Sequence, residues 1–311
     1  MSPTGWINIS WAALDPQPAL PFPLCIALEG ESVIFRDQGQ ALTPEDLLVL
    51  EEAELRIARE DCPLYLQMQL RAFDRSMGNS NDPQEGLKDH LRRVVAVLPI
   101  ALEALPAPDA FTCIQGAVTS SIAHLECCGW HFESVLPAFP IDASLVGHSA
   151  RTMTLGVMLG KQLGIADVEE LALGLLLLDW GLLDLVGPID LSKEDPSLHP
   201  KYREHPQRGE QLCRRVRGVT LRVRDVVKNH HERLDGSGFP RRISGDHLSD
   251  PTRIAAIVDR IERWRASAAL PPSAESYTEL LSTLRTEESD RFDANLIDLF
   301  LTRLRAPAHE S

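Results

Sequence analysis

The chain has 311 residues, of which 44% are hydrophobic and 24% charged, and its formal net charge is −14. These values are ordinary for a globular protein with one large or two smaller domains. The acidic balance argues against a general DNA or RNA binder, because nucleic-acid phosphates favour a basic surface. The charge is uneven, since the segment from Lys201 to Arg242 contains twelve Lys or Arg and only five Asp or Glu. That segment suits either a small anionic ligand or an exposed arginine-rich helical face.

The cysteines and the apolar runs predict a cytoplasmic protein without a membrane segment. Six cysteines lack any CxxC pair, which is typical of reduced thiols. The N-terminal sequence MSPTGWINIS has no basic region followed by an apolar one, so no signal peptide is expected. The most apolar run, Leu171 to Val186, is shorter than a bilayer span and contains two aspartates.

Residues 1–65 are predicted to form a small α/β module. The apolar runs PLCIALEG and SVIF read as strands joined by a turn, and ELRIA as a further strand. Thr43 followed by Pro44 and two acidic residues is a typical helix start. Nothing in this module has catalytic spacing, so we expect a sensory, docking or dimerisation role and allow for a homodimer.

The rest of the chain has helical periodicity. Residues 66–140 are predicted to be connecting helices, and residues 141–305 a larger helical domain. The fold class is therefore mainly α, with a small α/β module in front.

Asp179 lies inside the leucine-rich run ELALGLLLLDWGLLDLVG. A carboxylate buried among leucines is costly unless it is paired, hydrogen-bonded or bound to a metal. This position therefore predicts a partner for Asp179, whereas Asp184 near the end of the run is expected to be exposed.

The stretch Asn229 to Pro240, NHHERLDGSGFP, carries two adjacent histidines before a glycine-rich turn. The preceding residues have helical spacing, and neighbouring helical side chains point about 100° apart. One metal rarely takes both unless the helix end is tilted onto it. By itself, the stretch fits an exposed helix end with a glycine stop as well as a functional site.

Six candidate ligands occur in order along about 110 residues, all expected on helices: His148, Asp179, His205, His230, His231 and Asp259. Each is weak alone. Histidines and carboxylates from several helices that face one bundle interior are, however, the way helical folds build two-metal sites.

The order H…D…H…HHExxDGxGxP…D resembles the HD-GYP family of cyclic di-GMP phosphodiesterases. The resemblance covers roughly Ile141 to Leu304 and is specific at HHERLDGSGFP, HPQRG and RIAAIVD. It implies that the six residues above are metal ligands and that Asp179 bridges two metals, commonly iron or manganese. In the family a bridging hydroxide then attacks phosphorus. The motif residues near the substrate would be Glu232, Asp235, Gly236, Gly238, Phe239 and Pro240.

The chain departs from the family pattern at several positions. The HD histidine is replaced by Leu178, and the phosphate-binding lysine by Leu182. Ser144 replaces a glutamate that supports a third metal in some members, and Phe239 replaces the GYP tyrosine. The RPYR-like run after the last aspartate is not recognisable.

These departures predict an uneven metal centre. One position would retain three ligands, His148, Asp179 and Asp259, whereas the other would be complete with Asp179 and three histidines. We therefore expect one well-formed site for a divalent metal, iron or manganese, with zinc possible. The arginine-rich segment, Arg208 to Arg224, would replace the lost phosphate cations only if it faced the site.

Two functions follow from the resemblance. The chain is predicted to be a divergent member with weak or absent phosphodiesterase activity, which acts by binding cyclic di-GMP, a related nucleotide or a protein partner. The alternative is an active metal-dependent cyclic di-GMP phosphodiesterase.

Overall fold

The computed structural model describes residues 5–76, 82–139, 143–187, 196–267 and 273–305. The chain forms two compact units that divide after Ser120. The first contains an antiparallel sheet with strand order β1-β4-β2-β3, so that β3 is an edge strand. The strands are β1 (Trp6–Ile9), β2 (Leu24–Leu28), β3 (Glu31–Arg36) and β4 (Leu55–Ala58).

The local chemistry of this unit explains its elements. Leu28 pairs with Glu31 across a two-residue turn, in which Glu29 and Gly30 both have positive φ. Such a turn matches the twist of the strands that it joins. The first helix, α1 (Pro44–Leu50), begins with a reciprocal cap between Thr43 and Asp46. The strands and the helix start predicted for this region are therefore present.

The remaining helices bear out the predicted mainly α class. They are α2 (Cys62–Ser76), α3 (Pro83–Ala104), α4 (Pro108–Cys127), α5 (Phe132–Val135), α6 (Leu145–Gln162), α7 (Val168–Leu176), α8 (Trp180–Val186), α9 (His205–Cys213), α10 (Leu221–Asn229), α11 (Asp250–Ser267), α12 (Ala274–Glu287) and α13 (Ala294–Arg305). None of the helices in the described ranges combines the length and the apolar character that crossing a bilayer requires.

Helix α6 is the centre of the second unit. Every residue from Leu145 to Gly160 is buried, because α6 packs against α7 on one side and α11 on another. Helix α10 packs on α7 and α9, and α8 packs on α9. Candidate ligands on these helices and on the turns beside them lie around Asp179, so the helical packing itself positions them.

Two polar links one turn apart connect α6 to α11. Arg151 Nε donates to Glu262 Oε2 at 2.8 Å, and both side chains are fully buried. One turn earlier on each helix, His148 Nε2 lies 3.1 Å from Asp259 Oδ1. Because an ionic group in a dry interior is stable only with its partner in place, these links fix the register of the two helices.

Candidate metal centre

Two groups of buried side chains meet at Asp179. Within each group, one ligand atom from every residue lies within 4.8 Å of the others. The first group contains His148, Asp179 and Asp259, and the second contains Asp179, His205, His230 and His231. All six candidate ligands predicted from the sequence are therefore brought together, in one group of three and one group of four that share Asp179.

The prediction that all six lie on helices is wrong for three of them. His148 and Asp259 lie within helices, and His205 is the first residue of α9. Asp179 ends the turn between α7 and α8, while His230 and His231 lie in the turn after α10. Although His230 keeps helical backbone angles, with φ −60° and ψ −18°, both adjacent imidazoles reach the same centre.

His205 and His230 point their Nε2 atoms at one another. His205 Nδ1 lies 2.6 Å from the carbonyl oxygen of Tyr202, and His230 Nδ1 lies 2.9 Å from that of Val227. A carbonyl oxygen only accepts, so Nδ1 carries the proton in each neutral ring and Nε2 carries a lone pair. The two Nε2 atoms are 3.1 Å apart, and His205 Nε2 is 3.2 Å from Asp179 Oδ1. Three electron-rich atoms thus converge where a cation would stabilise them.

The environment keeps these imidazoles neutral. Burial, together with the positive charge of Arg263, lowers the pKa of His205 to about 3. Burial and the neighbouring His205 lower the pKa of His230 to about 4. Burial and His230 likewise hold the pKa of His231 well below its usual value. Metal ligation requires unprotonated imidazole, so the three rings are in the state that binds a metal.

A residue that the sequence analysis missed lies against the first group. Arg263 Nε donates to Asp259 Oδ1 at 2.9 Å, and Arg263 Nη2 lies 3.3 Å from Asp179 Oδ2. Burial alone would raise the pKa of Asp259, but the guanidinium outweighs it and holds that pKa well below the usual range. The i, i+4 spacing of Asp259 and Arg263 was the available signal.

Tyr202 is the second residue that the sequence did not indicate. Its Oη lies 3.0 Å from His231 Nε2, and burial raises the pKa of this phenol. The Tyr202 ring also lies 5.4 Å from the guanidinium carbon of Arg263. Tyr202 therefore contacts His231 of the second group and Arg263 beside the first, and its backbone carbonyl orients His205 as well.

Glu232 and Asp235 organise the motif loop through backbone amides. The buried Glu232 carboxylate accepts from Arg241 N at 2.6 Å and from Ile243 N at 3.2 Å. Asp235 Oδ1 accepts from Ser237 N at 2.8 Å. Both contacts hold the loop and make no link to the six candidate ligands.

The remaining motif residues shape the same loop and its contact with the centre. Gly236 lies in the turn with φ +77°. A Cβ on Gly238 would lie 2.4 Å from the Cα of Glu232, so only glycine fits there. The Phe239 ring stacks on His231 with centroids 4.6 Å apart, and Pro240 follows it. The loop therefore reaches the centre through Phe239.

The two replaced family positions are apolar and closed. Leu178 and Leu182 are fully buried, and Leu182 packs in a cluster with Leu145 and Tyr202. Neither offers a lone pair to a metal or a charge to a phosphate.

The arginine-rich segment mostly faces acidic side chains. Arg208 pairs with Asp184, which is exposed as predicted, and Arg214 and Arg224 pair with Glu210. A different arginine, Arg203, is nearer to the centre.

The exposed Arg203 lies 4.6 Å from the centroid of the Phe239 ring. Because that ring stacks on His231, a cation is present at the edge of the site.

The comparisons with known proteins agree with this geometry. Residues 142–296 match the sequence model of the HD domain. A cyclic di-GMP phosphodiesterase of Pseudomonas aeruginosa is 32% identical over 143 residues, which are 41% of this chain and 34% of that protein. A 3'3'-cGAMP-specific phosphodiesterase of Vibrio cholerae is 30% identical over 162 residues, 48% of this chain and 35% of that protein. The matches span about a third of the length of these curated relatives.

A solved structure shares the fold. The HDG"Y"P protein Bd1817 from Bdellovibrio bacteriovorus superimposes with a TM-score of 0.71 at 16% sequence identity, over 97% of this chain and 100% of that one. The helical bundle, the buried His/Asp cluster and the domain match define the class, which is that of HD-domain proteins. Within this class, the chain belongs to the HD-GYP family. The predicted family and fold are thereby confirmed.

Proposed function

We propose that this chain is a metal-binding member of the HD-GYP family that acts in cyclic dinucleotide signalling with weak or absent phosphodiesterase activity. The observation that carries the proposal is the contrast between the two groups at Asp179. One has a carboxylate and three neutral imidazoles, whereas the other has lost a histidine to Leu178 and contains Arg263. A two-metal clamp on a phosphodiester needs both positions.

A single divalent metal fits the second group. His205 and His230 present two Nε2 lone pairs beside Asp179 Oδ1, and His231 completes the set. The carbonyl contacts at Nδ1 are the orienting hydrogen bonds that metal-bound histidines usually have. Three imidazoles with one carboxylate suit iron, manganese or zinc. The metal would supply Lewis acidity next to a bound phosphate.

The chain's own residues would bind the nucleotide at the edge of the centre. Phe239 offers an aromatic face, which suits stacking with a base. Arg203 offers a guanidinium beside that face for a phosphate. Leu178 and Leu182 leave no protein cation or imidazole at the family's own positions. Affinity for the nucleotide would thus outlast its hydrolysis.

A cyclic dinucleotide is the proposed ligand because the similar proteins are named for cyclic di-GMP and 3'3'-cGAMP. A protein partner, a homodimer and a cytoplasmic location are further proposals. The six cysteines are all free, which supports the last. A sensory or docking role for residues 1–65, and the division of the chain at residues 65 and 140, remain predictions.

Binding and hydrolysis by the purified chain test the proposal. After loading with Mn²⁺, we expect cyclic di-GMP or 3'3'-cGAMP to bind by calorimetry, with no more than trace conversion to linear dinucleotide by chromatography. Asp179→Ala should lose the metal, because Asp179 belongs to both groups. Robust turnover that Asp179→Ala abolishes would establish the alternative, an active phosphodiesterase, which the complete second group supports.

A further inference from the structure

The guanidinium of Arg263 lies between the two carboxylates of the first group. Its Nε donates to Asp259 Oδ1 at 2.9 Å, and its Nη2 lies 3.3 and 3.4 Å from the two oxygens of Asp179. We propose that Arg263 is a built-in cation that takes the place of one metal ion between Asp179 and Asp259. The inference rests on the proposed metal site, since it states why that site holds one ion.

Charge balance favours this role. Asp179 and Asp259 are each 1% exposed, and a carboxylate that leaves water needs an opposite charge beside it. In a two-metal centre both ions supply that charge. In this chain, the permanent charge of Arg263 supplies it to both carboxylates. A second divalent ion at the same oxygens would lie next to a like charge, which disfavours it.

Two donor atoms of the first group already face each other. His148 Nε2 is 3.1 Å from Asp259 Oδ1, and a carboxylate oxygen only accepts, so Nε2 carries the proton and offers no lone pair. Leu178 has no donor atom at the fourth position. The two carboxylates that remain both contact Arg263. The missing histidine at Leu178 and the presence of Arg263 are therefore two parts of one change, in which a charge of the protein takes the place of a metal ion.

Arg263 is held in this position from several sides. Its side chain is 20% exposed, and its guanidinium carbon lies 5.4 Å from the centroid of the Tyr202 ring. Tyr202 in turn contacts His231, a member of the complete group. The guanidinium thus has an aromatic wall as well as two carboxylates. A mobile surface arginine would have neither.

Metal content and thermal stability test the proposal. The wild-type chain and its Arg263→Ala and Arg263→Lys variants are loaded with Mn²⁺ and dialysed. Mass spectrometry then measures the number of metal ions per chain. Melting temperatures are measured in chelator and in Mn²⁺. The matched control is Arg260→Ala, which removes a different ion pair, with Glu288, from the same helix.

We expect one Mn²⁺ per chain in the wild type, in Arg263→Lys and in Arg260→Ala. Arg263→Ala leaves two buried carboxylates without their cation, so in chelator its melting temperature should fall by about 10 °C. Added Mn²⁺ should reverse most of that fall, and the metal content should approach two per chain. Arg263→Lys retains the charge but not the two contacting nitrogens, so it should lose less stability than Arg263→Ala and still hold one Mn²⁺ per chain.

Two wild-type Mn²⁺ ions per chain would overturn the role of Arg263 while leaving the metal site intact, and this count needs no variant. No Mn²⁺ in the wild type would overturn the metal site instead. In that case, Mn²⁺ rescue of Arg263→Ala alone would still support the cation role. If Arg263→Ala melts and binds metal as Arg260→Ala does, Arg263 is an ordinary ion pair and the inference is wrong.

Discussion

Acidification of the metal-free protein should reveal the buried imidazoles directly. The pKa of His205 is lowered to about 3 and that of His230 to about 4 by burial, whereas an unfolded histidine has a pKa of about 6.5. Between these values the unfolded chain binds more protons than the folded one. The stabilising contribution is therefore complete above pH 6.5 and is lost as the pH falls from 6.5 towards 4.

The magnitude follows from those pKa values. Each histidine should remove about 1.4 kcal/mol per pH unit inside that window, or about 2 kcal/mol between pH 8 and pH 5. The two together give a loss on the order of 4 kcal/mol, and His231, whose pKa is also held well below its usual value, adds to it. The lowered pKa of Asp259 acts in a different range, because it costs stability only below about pH 4. Histidine protonation should thus dominate above pH 4.

Urea unfolding in chelator at pH 5, 6, 7 and 8 measures this effect. Replacing Trp6 and Trp11 by phenylalanine leaves tryptophans only in the second unit, so fluorescence reports the unit that contains the site. His230→Gln should reduce the pH dependence, because one of the three buried histidines with a lowered pKa is removed. His247→Gln, at an exposed histidine, should leave it unchanged. A free energy of unfolding that is level or higher at pH 5 would refute the reasoning.

Substitutions at three positions test the surroundings of the centre. Gly181→Ala places a Cβ 2.1 Å from the carbonyl oxygen of His205, so we expect the protein to lose about 3 kcal/mol or more of stability and to lose Mn²⁺ binding. An unchanged melting temperature and metal content would contradict this. Glu232→Ala should lower the free energy of unfolding in urea by about 2–4 kcal/mol, because two loop amides lose a buried carboxylate acceptor. Glu232→Gln should lose less, because its amide oxygen still accepts. Equal losses in both variants would argue against the role of these hydrogen bonds. Arg203→Ala should weaken cyclic dinucleotide binding roughly tenfold in calorimetry, since one charge-assisted contact beside Phe239 is removed, and should leave the metal content unchanged. Unchanged affinity would exclude Arg203 from the ligand site.

The sequence alone identified the six candidate ligands that the structure brings together. Asp179 was identifiable because a carboxylate among leucines demands a partner, and the histidines because their order and the motif after Asn229 resemble one family. The replacements at Leu178 and Leu182 were equally readable, since they are departures from a linear pattern. Helix positions were less certain: whether His230 still belonged to α10 depended on a single turn of backbone.

Only the tertiary structure decided which side chain lies beside the group of His148, Asp179 and Asp259. Arg263 and Asp179 are 84 residues apart, and no spacing rule links them. Tyr202 reads in the sequence as an ordinary aromatic residue before a helix, yet it contacts His231 and Arg263. A local pattern predicts which side chains share a helix face. The packing of separate helices determines which charge lies beside a buried carboxylate.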